Sequence, residues 1–228
     1  MKFLRHLLDI FYPNMCVCCE RMLIDQEKIV CLFCLFDLPL IGHENYHSNE
    51  ITRIFKGRIP IEKGASLLYY TETGKAKKLI HELKYKNRQD IGSFIGILLG
   101  KKLKDSCFSH DIDCIIPVPL HSKKLRQRGY NQLTQFGKSL STILGVEYCD
   151  QVLQRVSFTK TQTFKKRLDR FSNTDSKFIV ENTKNMIGKH VLLIDDVVTT
   201  GATLESCSLE LLKVENVKIS LVTMAVTV

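Results

Sequence analysis

Four stretches of the chain read as strands, Ala65 to Thr71, Asp113 to Val118, Val191 to Ile194 and the closing VKISLVTMAV, and Val191 to Ile194 is apolar with no alternation. Such runs mark strands buried on both faces of a parallel sheet. Between them the period changes to that of a helix. Ala76, Leu79, Ile80 and Leu83 share one face, with His81, Glu82, Lys84 and Lys86 mostly on the other. Ile91, Phe94, Ile95, Leu98 and Leu99 define a second helix, with Asp90 placed to cap it. Leu133, Phe136, Leu140, Ile143 and Leu144 define a third, and Leu204 to Leu212 a fourth. The first thirteen residues add an amphipathic helix through Leu4, Leu7, Leu8 and Phe11. Strands near residues 65, 115, 192 and 220 alternating with helices predict an α/β fold, a mainly parallel sheet flanked by helices and joined by right-handed crossovers.

Two strand-to-helix junctions carry chemistry. In VLLIDDVVTTGAT, Val191 to Thr203, the strand is expected to end at Asp195 and Asp196, and Thr199, Thr200, Gly201, Ala202 and Thr203 lead into the helix. The N–H groups and positive dipole end of a helix start suit a phosphate, Gly201 permits close approach, and the threonine hydroxyls add donors. Two carboxylates beside that cradle would repel a phosphate unless they bind something else on the ligand, such as sugar hydroxyls. The bland alternative is a buried strand running into a solvated acidic turn. After the 115 strand, closed by Pro117 and Pro119, the loop PLHSKKLRQRGYNQ carries Lys123, Lys124, Arg126 and Arg128. A cationic loop at the C-terminal edge of a parallel strand is where open α/β sheets bind ligands, and these four groups suit a pyrophosphate. Taken alone, a basic loop is more often a solvated surface.

Cys16, Cys19, Cys31 and Cys34 form two C-x2-C pairs with eleven residues between them. Two such knuckles close one tetrahedral zinc site, and a segment this short has too little core to fold without a metal. The competing reading is four buried thiols. Cys18 lies inside the first pair but breaks the repeated spacing, and it is left out of the ligand set. Cys107, Cys114, Cys149 and Cys207 read as small core hydrophobes. Residues 46–62 are polar and punctuated by Gly57 and Pro60, which reads as a linker between an N-terminal helix and zinc module (1–45) and the α/β domain (63–228), two separate units. Arg155 to Asn173 is rich in Ser, Thr, Lys and Arg and nearly free of aliphatics, the composition of a mobile lid or of an exposed hairpin.

Composition adds modest constraints. At 228 residues, 44% apolar and 25% charged, the chain is an ordinary globular one. Its net charge of +9 favours anionic partners, either nucleic acid or phosphorylated small molecules. Arg5, His6 and Asp9 break the N-terminal apolar run, so it is no signal peptide, and no apolar run reaches membrane-spanning length; a cytoplasmic protein is expected. Nine cysteines in such a reducing compartment then argue for metal binding or burial rather than disulfides.

The thirteen residues from Val191 resemble the signature of the type I phosphoribosyltransferases: four hydrophobics, two acids, two hydrophobics and Thr-Thr-Gly-x-Thr. With the cysteine pairs, the string RQRGYNQ (Arg126 to Gln132) and the Thr- and Arg-rich segment in the same order, the whole chain resembles the ComF family, phosphoribosyltransferase-like proteins associated with competence and DNA uptake. The resemblance implies that Asp195 and Asp196 hold the ribose hydroxyls of phosphoribosyl pyrophosphate and Thr199 to Thr203 its 5-phosphate. It implies that His121 through Arg128 meet the pyrophosphate with Mg²⁺, and that Arg155, Thr161, Gln162, Arg167 and Asn173 belong to a mobile loop. At Cys18 many relatives have a glycine. Two classes of function remain: a phosphoribosyltransferase whose acceptor is not legible, with no convincing general base, or a zinc-bearing adaptor for single-stranded DNA and a helicase partner. The sequence offers no obvious row of exposed aromatics for base stacking, which counts against the adaptor.

Overall fold

The structure, a computed structural model, describes residues 13–42, 45–106, 108–156 and 177–227. The expected helix at the N-terminus therefore lies outside the described residues. Five strands form one parallel sheet in the order β1-β7-β6-β2-β3: β1 Gly64–Tyr70, β2 Cys114–Pro117, β3 Glu147–Tyr148, β6 His190–Val198 and β7 Lys218–Thr227. Interior strands are covered on both faces, and β7 is buried from Ile219 to Val226. The α/β reading holds, since unbroken apolar runs have no side to show to water. The short β3 and a separate antiparallel ribbon, β4 (Leu153–Arg155) with β5 (Phe178–Val180), are additions that two- and three-residue strands could not announce.

The helices are α1 (Leu32–Phe36), α2 (Glu50–Phe55), α3 (Lys75–Tyr85), α4 (Gln89–Asp105), α5 (Ser122–Arg128), α6 (Leu133–Leu144) and α7 (Ala202–Leu211). The second predicted helix, α4, starts two residues earlier than expected. Its cap position is Arg88, and Asp90 sits in the first turn, ion-paired with Arg88 at 2.8 Å. Gly92, Gly96 and Gly100 stripe one face of α4. A Cβ on Gly96 would stand 2.8 Å from the Phe136 carbonyl oxygen and from Ser139 Cβ, so only glycine lets α4 lie this close to α6.

Residues 46–62 are not a loose linker. Asn49 Oδ1 accepts from Ile51 N at 3.0 Å and Thr52 N at 3.2 Å, while Thr52 Oγ1 accepts from Asn49 N at 2.8 Å, a reciprocal cap on α2. Asn49 Nδ2 also donates to Gly64 O at 2.8 Å, tying the cap to β1. Ile51 and Phe55 are fully buried. The cysteine-bearing segment is equally attached. Ile41 N donates to Leu67 O and Tyr69 N to Pro39 O, both at 2.9 Å, so residues 39–41 cover the free edge of β1. Ile29, Val30, Leu38 and Ile41 join the core of the sheet, against the expectation of separate cores. Among the described residues no helix is long and apolar enough to cross a membrane.

Candidate functional site

β6 runs farther than its apolar run suggested. Its partner β2 stops at Pro117, opposite Ile194, whereas β6 continues through both aspartates to Val198, paired with β7. Proline ends the ladder on one side, and a crevice opens beside β6 where Asp195 and Asp196 begin. Adjacent strand positions face opposite sides of a sheet, and the two carboxylates differ accordingly. Asp196 is buried and saturated: Oδ2 meets Lys84 Nζ at 3.0 Å and Gln132 Nε2 at 2.7 Å, and Oδ1 accepts from Val197 N at 2.6 Å. Asp195 has its own partner in the Asp196 N–H, at 2.8 Å. Burial, and then the neighbouring Asp196 carboxylate, push the Asp195 carboxyl up to about 8 against the smaller pull of the Asp196 N–H and Lys84.

Asp195 also lines a small cavity of about 60 Å³ formed with Val197, Val198 and residues Thr199 to Leu204. Its loop is the segment read above as a phosphate cradle. Gly201 sits at φ +76° at the cap of α7, and a Cβ there would lie 2.7 Å from the Phe55 ring. Glycine is thus required twice, by backbone sign and by the packed wall behind the loop. The N–H groups of the first turn of α7 have no intrahelical partner; Ala202 N reaches only Thr200 Oγ1, at a long 3.5 Å. From behind, Arg58 Nη1 donates to Thr200 O at 2.7 Å and pairs with Glu205, so the segment read as a linker braces the loop.

The basic segment after β2 is a helix. His121 caps α5, its Nδ1 accepting from Lys123 N at 3.1 Å, and Gly129 ends it in the left-handed conformation. Helical spacing splits the four cations. Lys123, Lys124 and Arg126 are exposed, while half-buried Arg128 turns inward, where Nη1 donates to Gln132 Oε1 at 2.9 Å and the guanidinium lies 5.2 Å from the Tyr85 ring centre. Arg128, Gln132, Asp196 and Lys84 form one continuous network. Of the expected mobile loop, Arg155 ends β4, with its guanidinium 5.4 Å from the Phe178 ring centre; Thr161, Gln162, Arg167 and Asn173 lie outside the described residues.

The four paired cysteines converge. The Sγ atoms of Cys16, Cys19, Cys31 and Cys34 all lie within 4.8 Å of one another, with Cys19 and Cys31 at 3.6 Å. Zn–S bonds of about 2.3 Å at tetrahedral angles place sulfurs roughly 3.8 Å apart, so the set fits such an ion. Cys31 N lies 3.3 Å from Cys16 Sγ. Burial works to raise the Cys16 thiol, but hydrogen bonds from the Cys31, Cys19 and Cys18 N–H groups bring it down to about 6, while burial and the neighbouring thiols drive Cys34 up. Four thiolates do not share this space without a cation. Cys18 lies outside the cluster and is pushed up to about 11, chiefly by burial. Cys114 and Cys207 are buried as expected and Cys149 half-buried; Cys107 lies outside the described residues.

Residues 134–228 match the phosphoribosyl transferase domain. The chain is 32% identical over 209 residues to the DNA utilization protein YhgH of Salmonella typhi, spanning 90% of this chain and 87% of that protein. It is 28% identical over 222 residues to competence protein F of Haemophilus influenzae, spanning 92% and 96%. The chain belongs to the ComF family. Among solved structures, the purine phosphoribosyltransferase of Pyrococcus horikoshii overlaps 63% of this ComF chain and 76% of its own, at 21% identity and a TM-score of 0.36.

In this ComF protein the structure thus brings Asp195, the Thr199–Thr203 loop, Asp196 and Arg128 to one edge of the sheet and leaves Lys123, Lys124 and Arg126 facing solvent. It adds three residues to those singled out above: Lys84, Gln132 and Arg58. Gln132 stands inside RQRGYNQ and was within reach of that string. Lys84 is one lysine among several on the polar face of α3 and carries no local mark.

Proposed function

We propose that this ComF protein binds phosphoribosyl pyrophosphate at the C-terminal end of β6 and serves in phosphoribosyl transfer linked to DNA uptake or nucleotide metabolism. In this reading Thr199 to Thr203 hold the 5-phosphate, Asp195 and Asp196 the ribose hydroxyls, and Arg128 with the start of α5 the pyrophosphate, accompanied by Mg²⁺. The observation that carries it is Asp195: an acid poor in water, beside the small cavity of the Thr199–Thr203 loop, without a cation of its own among the described residues. A ribose hydroxyl meets such a group, and a hydrogen bond of that kind contributes about 0.5 to 1.5 kcal/mol with the neutral acid and about 1.5 to 3 kcal/mol with the ionised one. Asp196 is already satisfied, so a hydroxyl reaching it displaces Lys84, which then becomes available to the diphosphate. Lys and Arg groups neutralise the leaving pyrophosphate while the carboxylates sit near the developing ribosyl cation. Residues 1–45 carry the zinc, and residues 63–228 the transferase-like part.

A second reading, the adaptor for single-stranded DNA and a helicase, draws support from one observation that the sequence did not promise. Phe33 and Phe36 on α1 are 75% and 82% exposed, and such rings stack on bases. A pair of titrations separates the two. With Asp195 and Asp196 both changed to Asn, the transferase reading expects phosphoribosyl pyrophosphate affinity to fall by one to several powers of ten. The adaptor reading expects oligonucleotide binding at fixed salt to persist or strengthen as negative charge disappears. A variant that binds phosphoribosyl pyrophosphate as well as the wild type does removes the proposed site.

A further inference from the structure

We infer that the cavity between the C-terminal ends of α3 and α5 is a second ligand site, and that its ligand is a nucleoside phosphate: a base carrying at least one phosphate. The inference goes beyond the donor reading and does not depend on it.

The cavity holds about 540 Å³, within the range of small-molecule sites. Three cations reach its wall, Lys84, Lys86 and Arg128, and among the described residues that line it there is no carboxylate and no aliphatic side chain. Lys84 is paired with Asp196, but a neutral base would leave the charge of Lys86 and Arg128 without a carboxylate on that wall, so the ligand carries negative charge. An inorganic anion, in turn, would leave the aromatic part idle. Tyr85 is 59% exposed on the same wall, with the Arg128 guanidinium 5.2 Å from its ring centre and the His81 ring 5.0 Å away. Aromatic and guanidinium planes at one spot are what unstacked bases lie against. The amides of Asn87, Gln89 and Gln127 complete the wall, and side chains of this type hydrogen-bond base edges.

The wall is also held in place. Tyr130 donates its hydroxyl to Leu83 O, and Arg128 is anchored through Gln132 to Asp196. Lys84 lines the cavity and bonds to Asp196 as well, so this site and the ribose end of the donor site share a wall. A nucleotide here would lie next to the acids of β6.

Calorimetric titrations of the full chain with adenosine 5′-monophosphate, adenine, pyrophosphate and a 5′-phosphorylated oligonucleotide test this. Each is run on the wild type and on Tyr85→Ala, Tyr85→Phe and Lys86→Gln; both positions are exposed, so the fold should survive, and melting temperature and zinc content check that it does. The expected result is that the monophosphate binds at least about tenfold more tightly than adenine. Tyr85→Ala and Lys86→Gln should each weaken it by about tenfold, the scale of one lost stacking or charge contact, and Tyr85→Phe should keep it. Phosphoribosyl pyrophosphate affinity should be unchanged in Lys86→Gln. An oligonucleotide that binds more tightly than the monophosphate identifies the source as a strand, and the reverse as a free nucleotide; either supports the site. Equal affinity for monophosphate and adenine overturns the proposal, as does a Tyr85→Ala variant that binds the monophosphate like the wild type. If the wild type binds the monophosphate but not phosphoribosyl pyrophosphate, the donor reading fails and this one stands.

Discussion

Replacing Asp195 by asparagine should stabilise the ligand-free protein while removing its affinity for the donor. Its carboxyl is raised from the ordinary 3.8 to about 8, first by burial and then by Asp196. At about 1.4 kcal/mol per pH unit, that displacement sets a ceiling of roughly 6 kcal/mol on the cost of ionising the acid in the folded chain. Asp195 is only half-buried, and water relaxes part of that cost, so about 1 to 3 kcal/mol is the expected gain. The sign follows from linkage. A carboxyl whose folded value is raised contributes stability below its unfolded value near 3.8, and that contribution is lost as pH rises through about 8. Asparagine cannot ionise and has no such loss. Thermal melts of both proteins without ligand at several pH values between 4 and 9 read the effect. The variant should melt roughly 2 to 10 °C above the wild type at the alkaline end, with the gap closing toward pH 4. A gap that does not change with pH, or a variant less stable than the wild type at pH 8, would refute the reasoning.

Lys84→Met leaves Asp196 buried without its cation, and because both side chains keep some contact with water the loss should be about 1 to 3 kcal/mol, seen as a lower urea midpoint. Cys31→Ser should cut zinc by elemental analysis from about one per chain to well below it; since the cysteine-bearing segment shares the core and covers the β1 edge, the whole chain should lose stability in the same transition. Gly201→Ala places a Cβ against the Phe55 ring at a positive φ, which should cost about 1 to 3 kcal/mol and weaken ribose 5-phosphate binding by about tenfold or more.

What could be read from the sequence was whatever depends on local pattern. The unbroken apolar runs announced the parallel strands, because burial on both faces leaves no polar positions. The cysteine spacing announced the cluster, because a C-x2-C turn brings two sulfurs together whatever surrounds it. Asp195 and Asp196 were legible as a pair, but not their difference: Lys84, in the last turn of α3, reaches Asp196 only through the tertiary fold. α2 was missed because a six-residue helix shows little more than one turn of period, although its Asn49–Thr52 cap was present in the sequence. The basic stretch from Lys123 was read as a loop following the strand that Pro117 and Pro119 close. It is instead α5, capped by His121 and ended by Gly129, and the helical turn aims Arg128 inward and its neighbours out. The glycine stripe of α4 has no meaning until α6 lies against it.

The central claim is that one phosphoribosyl pyrophosphate sits at the end of β6. A crystal structure of the protein with the donor and Mg²⁺ tests it most directly. The account predicts density for the 5-phosphate within about 2.7 to 3.1 Å of the backbone N–H groups of residues 199–203, with a ribose hydroxyl on Asp195. Density for the donor elsewhere on the chain, with that loop left facing water at saturating ligand, would contradict it.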